Sequence, residues 1–431
     1  MGNHTNPSVL VIGGGPAGLM AAISAARLGA QVTLLEKGNR LGRKLLISGG
    51  GRCNVTNARG IDHIIENIPG NGKFLHSVLH QWSNQDIIQF FRDLGVELKE
   101  EDRGRMFPVT NRASTVLDAL LQELHTQGVR IVFEASVQAI SYRSQTCDFE
   151  IFMQGGGTFT GDSVVIAVGG CSVPETGSTG DGYHFARTFS HTIVEPYPTS
   201  VALVMHDPVI QNKTLQGVSL RQAVLRLYDR KKRLLTTEEG DVLFTHFGLS
   251  GPAALRVSQY AVRSWMKDGK EPLLLTIDAD PTNTAMELKE KIFALCEMMP
   301  KRVFRTVVKE VTAVSLSNFI LESCNLPGDR LAAQVSKRDI EQFVRCLKEI
   351  ELHVADTLGL SRATVTGGGI AIKEIDPRTM ESRKQRGLFF AGEVMDVHAH
   401  TGGYNITVAF STGYVAGKHA ALHSALMREQ C

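Results

Sequence analysis

Apolar residues enter this chain as short unbroken runs that alternate with stripes of helical period. Val9 to Ile12 is such a run, too short for a helix, and it opens directly onto Gly13-Gly14-Gly15-Pro16-Ala17-Gly18. A strand buried on both faces of a parallel sheet has this character. From Pro16 to Leu28, residues Leu19, Ala22, Ile23 and Ala26 fall on one face of a helix that Gly29 ends, and Gln31 to Glu36 reads as the next strand. The chain therefore opens on a βαβ unit. Gly38 to Asn57 loses the periodicity, becomes glycine-rich and basic, and is expected to be a loop shaped around something.

Helical stripes recur at Phe74 to Leu94 and Ser114 to Gln127, with a strand at Arg130 to Ile140, a hairpin around Phe149 to Thr160, and a buried strand at Ser163 to Gly170. After Pro196 and Pro198 the pattern changes to short strands at Ala223 to Tyr228, Leu234 to Thr236 and Val242 to Thr245, then helices at Ala285 to Met299, Lys301 to Val311, Ser315 to Cys324 and Ser336 to Ile350. Gly387 to Gly392 is again a strand, and Asn405 to Ala421 a helix of small residues. The expected division is a first part over 1–194, an inserted domain over 195–360 (β-rich at about 195–280, helical at about 284–350), and a return to the first domain over 361–431.

The glycines at 13, 15 and 18 have separate tasks in a dinucleotide site: a tight turn, close approach of backbone to a pyrophosphate, and close packing of helix on strand. Glu36 ends the second strand, where a carboxylate accepts hydrogen bonds from the ribose hydroxyls of an adenosine. Pro16 and Ala17 complete the turn. Three features favour FAD over NAD. The Ser48 to Asn54 segment lies where a long cofactor continues past its pyrophosphate, and Ala167 and Gly169 sit on a second glycine-ended strand. Gly392-Glu393 precedes Gly402-Gly403-Tyr404-Asn405-Ile406, a helix start whose free N–H groups stabilise negative charge on a reduced flavin.

Lys+Arg at 46 against Asp+Glu at 44 gives a formal charge of +2, too balanced for the broad positive field that nucleic acid or anionic membranes need, so neither partner is expected. No stretch is long and apolar enough for a membrane span and no leader pattern is seen, so a cytoplasmic location is expected. The 7 cysteines show no Cys-x-x-Cys pair and read as reduced, mostly buried thiols. No second Rossmann fingerprint follows, which leaves NAD(P)H only a transient role as electron donor.

Several motifs resemble one family, the HI0933-like (YhiN/BaiN-like) flavoproteins. They are GGGPAG at 13–18, GRKLLISGGGRCNVTN at 42–57, GRMFP at 104–108, LFTHFGLSGP at 243–252, TGGGI at 366–370, GLFFAGEVMDV at 387–397 and TGGYN at 401–405. The resemblance implies an α/β fold: a Rossmann-type two-dinucleotide-binding FAD domain, split, with an inserted β-rich plus helical domain. It implies that Glu36, Arg43, Lys44, Ser48 and Gly50 contact FAD and that Val137 offers its backbone to the adenine. Gly392, Glu393, Asn405 and Ile406 line the ribityl and isoalloxazine end. Lys37, Gly49 and Gly403, neighbours of these, complete the candidate cofactor set.

The family's activities include reduction of conjugated steroid enones and oxidation of a small amino ketone. The expected function is thus an FAD-dependent oxidoreductase acting on a small organic substrate, as an NAD(P)H-linked reductase or an amine or aminoketone oxidase. The alternatives are a tRNA-modifying flavoprotein and a flavin-binding sensor with little turnover.

For the chemistry itself three weak candidates stand out: Tyr404, whose phenol can donate a proton; Arg105, which binds an anionic substrate or anchors its loop; and His400. His398 and His400 replace an expected Asp-Gly-like stretch, and an i, i+2 pair there reads first as a polar surface loop. Without a third ligand, no metal is predicted. Cys53, alone in the flavin loop, is expected to be a packed thiol.

Overall fold

A computed structural model describes residues 7–430. It divides into two compact units, one built from the residues up to Tyr197 together with those from Val365 onward, the other from Pro198–Thr364.

In the first unit a parallel sheet of five strands runs in the order Leu388–Phe390, Ser163–Ile166, β1 (Ser8–Ile12), β2 (Gln31–Leu35) and Arg130–Val132. β1 is central, with Val11 paired to Leu34 on one side and Val165 on the other. Its four residues Val9 to Ile12 are all buried, as an unbroken apolar run requires. Helix α1 (Pro16–Arg27) is buried from Ala17 to Ala26, because the sheet covers one side and the C-terminal helix Tyr404–Gln430 the other. Glycines make the second contact possible. A Cβ on Gly413 would lie 2.3 Å from the Ala17 carbonyl oxygen, and one on Gly417 would lie 2.1 Å from that of Ala21.

Some expected elements are broken. Phe74 to Leu94 is interrupted at Trp82, because Ser83 and Asp86 form a reciprocal cap that starts a new helix, Asn84–Asp93. Arg130 to Ile140 is two strands of different sheets, Arg130–Val132 and Val137–Arg143, separated by Glu134 at φ 54°. The presumed loop after Gly38 contains a helical segment, α2 (Arg43–Gly51).

The second unit is a closed barrel of six strands, Leu203–Met205, Gly248–Ser250, Leu234–Phe244, Ser219–Tyr228, Leu273–Asp278 and Ile350–Thr357, with a helix Pro252–Asp268 that the pattern did not suggest. Leu225, Leu227, Val242 and Phe244 alternate inward from the long hairpin. Helices Ala285–Met298, Phe304–Val308, Val314–Ser323 and Lys337–Lys348 follow, the first and last opened by capping boxes at Thr284/Glu287 and Ser336/Asp339. Cys324 and Cys346 are joined here as a disulfide, which corrects the reading of all cysteines as thiols. No helix among the described residues is long and apolar enough to cross a membrane.

One half-buried polar cluster of the first unit makes its stability depend on pH. Glu374 accepts from Thr192 N (2.8 Å), Lys384 Nζ (2.7 Å) and the buried His191 (3.1 Å), whose other nitrogen meets Ser382 Oγ at 2.7 Å. Burial works to raise the Glu374 carboxyl, but the Lys384 and Thr192 bonds outweigh it and bring it from 4.5 down to about 2. Burial lowers His191 below its ordinary 6.5. Both groups bind protons more readily unfolded, so the folded state loses stability as pH falls, first below 6.5 through His191 and then from 4.5 toward 2 through Glu374. Thermal melts should show a falling midpoint across this window. The Glu374→Gln variant should melt lower at pH 7 and lose less on further acidification below about 4.5.

Candidate flavin site

The turn after β1 is held by contacts that only glycine permits. Gly13 has φ 103°, and a Cβ there would lie 2.6 Å from the Ala167 carbonyl oxygen; one on Gly18 would lie 1.8 Å from the Gly13 carbonyl oxygen. Gly15 differs. It is the extended N-cap of α1, no side chain caps the helix, and a Cβ there would meet nothing within 4 Å among the described residues. The start of α1 thus presents unpaired N–H groups and a positive helix end to open space, with Pro16 at the first helical position.

Glu36 lies across this turn, accepting from Gly14 N (2.8 Å) and Gly38 N (2.7 Å). The Ala135 N–H donates to the Glu36 carbonyl at 2.9 Å, which brings the start of the Val137 strand alongside. Ala167 continues the Ser163–Ile166 strand, its N–H bonded to the Ile12 carbonyl at 2.9 Å, and Gly169 follows at φ 75°. Lys37 is ion-paired to Asp181 at 2.6 Å, and Arg43 donates to the Asn39 carboxamide at 2.7 Å.

After Ile47 the α2 backbone leaves helical geometry: Ser48 is extended at ψ 147°, and Gly49 and Gly50 are left-handed at φ 56° and 70°. Three consecutive residues at positive φ, with Gly51 at 84°, explain the glycines. Ser48 Oγ donates to the Leu45 carbonyl at 2.6 Å, and nothing lies within 4 Å of a Cβ on Gly50 among the described residues. Cys53 is fully buried and its thiol is pushed up to about 12 by burial, which makes it a poor nucleophile or redox partner. Asn54 was not singled out from the sequence. It is buried, and its Oδ1 has no hydrogen-bond partner among the described residues.

Glu393 accepts from Lys44 Nζ (3.0 Å), Ser172 Oγ (3.1 Å) and Thr366 N (2.6 Å), and Lys44 also donates to Ser172 Oγ at 2.9 Å. Burial pushes the carboxyl up, but the Lys44 ammonium and the Thr366 and Ser172 donors more than offset it, so Glu393 is held below the usual carboxylate range. Gly392 has φ 74°, with its N–H bonded to Thr412 Oγ1 at 3.0 Å.

Gly402 and Gly403 introduce the C-terminal helix. A Cβ on Gly403 would lie 2.5 Å from the Thr56 carbonyl oxygen and 3.0 Å from Asn54 Oδ1, so this helix start and the α2 loop meet. No acidic residue lies in its first turn. Ile406 is half-buried and packs on the core. Asn405 clamps the preceding loop, accepting from Ala399 N at 2.9 Å and donating to the Ala399 and His400 carbonyls at 2.9 and 3.2 Å.

That loop is not a polar surface. His398 and His400 are only 2% and 8% exposed, because the chain from Asn67 to Asn71 lies over them: His400 N donates to Asn67 O (2.9 Å) and Gly70 N to His398 O (3.1 Å). Tyr404 is buried, and its hydroxyl meets Nε2 of His63, on helix α3 (Ile61–Glu66), at 3.1 Å. Sequence reading had no signal for His63, which is 341 positions away. Arg105 is ion-paired to Asp102 and lies over the Phe107 ring at 5.4 Å, the arrangement of a loop anchor.

Two helix N termini with no acidic residue in the first turn, open space beside Gly15 and Gly50, and an orphaned buried acceptor at Asn54 among the described residues are what a long dinucleotide with an uncharged ring at one end requires; the residues fit FAD. Comparison with known proteins agrees. The model of the HI0933-like protein Rossmann domain matches residues 7–419, and the chain belongs to the HI0933-like family. It is an FAD-dependent oxidoreductase. It is 31% identical over 414 residues to a 3-dehydro-bile acid delta(4,6)-reductase of Clostridium scindens, covering 95% of this chain and 98% of that one. It is 30% identical over 407 residues to a ribosomal RNA dihydrouridine synthase of Haemophilus influenzae, covering 94% and 96%. Among solved structures, 3-ketosteroid delta1-dehydrogenase of Sterolibacterium denitrificans shares the fold at a TM-score of 0.50 and 12% identity, covering 96% of this chain and 99% of that one.

Proposed function

We propose that this enzyme saturates a carbon–carbon double bond conjugated to a carbonyl group in a small organic substrate, with FAD as hydride carrier and NAD(P)H as transient donor. The observation that carries the reading is that the two relatives described, each near 30% identity over almost the whole chain, are named for one bond change. A delta(4,6)-reductase acting on a 3-dehydro-bile acid and a synthase of dihydrouridine both add hydrogen across a double bond conjugated to a carbonyl. The balanced charge, 46 basic against 44 acidic residues, favours a small substrate over an RNA.

In this reading the Gly13–Gly18 turn and α1 hold the pyrophosphate, Glu36 the adenosine ribose, and the strand from Val137 the adenine edge. Lys44, Ser48, Gly49, Gly50, Gly392 and Glu393 line the ribityl chain. Gly403, Asn405 and Ile406 place the C-terminal helix end against the ring, where its partial positive charge favours the reduced, anionic form. Lys44, Ser172 and Thr366 already occupy the Glu393 carboxylate, so that residue acts by orienting Lys44 and the Gly392 backbone. FAD supplies the hydride; the protein fixes the substrate and the proton.

The test is anaerobic stopped-flow absorbance near about 450 nm. Bleaching by NADH or NADPH, followed by recovery of colour with 2-cyclohexen-1-one or a 3-oxo-4-ene steroid, is expected. Recovery only with a uridine-containing RNA would move the same chemistry to a nucleic acid. Bleaching by amines alone would replace the reading with an oxidase, and colour recovered by none of these acceptors would remove it.

A further inference from the structure

We propose that Tyr404 delivers the proton that completes the reduction and that His63 reloads it from solvent. The proposal rests on the double-bond reduction argued above. Hydride added to the carbon β to a carbonyl leaves an electron pair on the enolate, and a proton must then reach the α-carbon.

Tyr404 is the first residue of the C-terminal helix, directly after Gly402-Gly403, and is 5% exposed. His63 is exposed, and its Nε2 is 3.1 Å from the Tyr404 hydroxyl. A buried phenol at the proposed flavin end is thus joined to bulk water by one side chain. The distance is set by more than these two groups. Asn71 Nδ2 donates to the Asp396 carbonyl at 2.7 Å, Gly70 N to that of His398 at 3.1 Å, and His400 N to that of Asn67 at 2.9 Å. The segment carrying His63 is therefore fastened along the loop that leads into Tyr404. Asn67 Nδ2 donates to the His63 carbonyl at 2.9 Å and lies 3.4 Å from Nε2. A neutral His63 ring with its hydrogen on Nδ1 would accept at Nε2 from the Tyr404 O–H and the Asn67 N–H. In the imidazolium the bond reverses, Nε2–H donates to the phenol oxygen, and the phenol hydrogen is released toward substrate. Two other candidates are poorer donors: Cys53 is a buried thiol and Arg105 is held by Asp102.

In the step itself the substrate π bond breaks and a C–H bond forms at the β-carbon with hydride from the reduced flavin. The Tyr404 O–H bond breaks as a second C–H bond forms at the α-carbon. The phenolate takes the Nε2 proton of the His63 imidazolium, and the imidazole takes one from water. The substrate gains one hydride and one proton, the two electrons being those that bound, reduced FAD would supply. Tyr404 is then the catalytic residue and His63 its positioning and relay partner.

Three variants of the FAD-loaded enzyme test this, each reduced with dithionite and mixed anaerobically with 2-cyclohexen-1-one and a 3-oxo-4-ene steroid. Tyr404→Phe should bind FAD normally and slow reoxidation by about 100-fold or more. His63→Gln should slow it by about tenfold with KM for the enone unchanged. His63→Ala should regain rate with added imidazole, since the position is exposed; a purely structural role predicts no such rescue. Independently of turnover, the ¹⁵N resonance of His63 Nε2 in FAD-free protein should shift in Tyr404→Phe. Wild-type reoxidation matched by Tyr404→Phe would overturn the proton assignment alone, and absent rescue with an unmoved His63 resonance would overturn the relay. Wild-type enzyme that no enone reoxidises would instead overturn the function on which both stand.

Discussion

Gly15→Val is expected to yield a folded, colourless protein. The residue sits at φ −80° and ψ 179°, a conformation open to any L-amino acid, and a Cβ there touches nothing within 4 Å among the described residues. The folding cost is that of a poorer N-cap, about 1 kcal/mol. Yet the new side chain fills the space proposed for the pyrophosphate at the N terminus of α1. FAD affinity should fall by 100-fold or more, about 2.7 kcal/mol, while the circular dichroism spectrum and the melting temperature of FAD-free protein stay close to wild type. Retained wild-type affinity would place the cofactor elsewhere. Gly13 and Gly18 make the contrast, because their would-be Cβ atoms lie 2.6 and 1.8 Å from backbone oxygens. Substitution there should cost the fold along with the flavin. Three glycines of one fingerprint thus separate into two crowded positions, Gly13 and Gly18, and one open position, Gly15, at which the pyrophosphate is proposed to bind.

This separation also shows what a linear reading can reach. The βαβ unit was legible because its strand, turn, helix and acidic residue are consecutive, and each is set by local sterics and apolar period. The inserted unit was legible where a hairpin or a capping box is local, as at Thr284 and Ser336. What failed depends on distant chain. His398 and His400 read as surface, since nothing in their own loop reports that Asn67 to Asn71 covers them. Asn405, carried into the cofactor set by resemblance, also clamps its own loop through Ala399 and His400, a contact that no periodic pattern signals. Lys44 and Glu393, expected separately, form one ion pair across 349 positions. The strand Ile350–Thr357 was hidden because it follows the helix Lys337–Lys348 after a single residue and shares its apolar run.

The C-terminal helix carries the second large effect. Its hydrophobic residues do not form one stripe, and it read from sequence simply as rich in small residues; the structure gives that composition a cause. Gly413 and Gly417 lie one helical turn apart on the face against α1, where would-be Cβ atoms come within 2.3 and 2.1 Å of the Ala17 and Ala21 carbonyl oxygens. The obstacle in each case is backbone in the buried stretch of α1, which cannot turn aside as a side chain would. Gly417→Val therefore has to push α1 and the C-terminal helix apart, and should destabilise the first unit by about 3 kcal/mol or more. Calorimetry should show its transition shifted down by several degrees. A shift within error would mean that the helices separate without cost. Because α1 begins at the proposed pyrophosphate site and the C-terminal helix begins at the proposed ring site, parting them also moves the two ends of the cofactor bed. FAD affinity should fall with stability in Gly417→Val, whereas Gly15→Val should lose affinity alone. The glycine spacing that lets two helix backbones touch is, on this account, also what sets the distance between the two positive helix ends that FAD has to span.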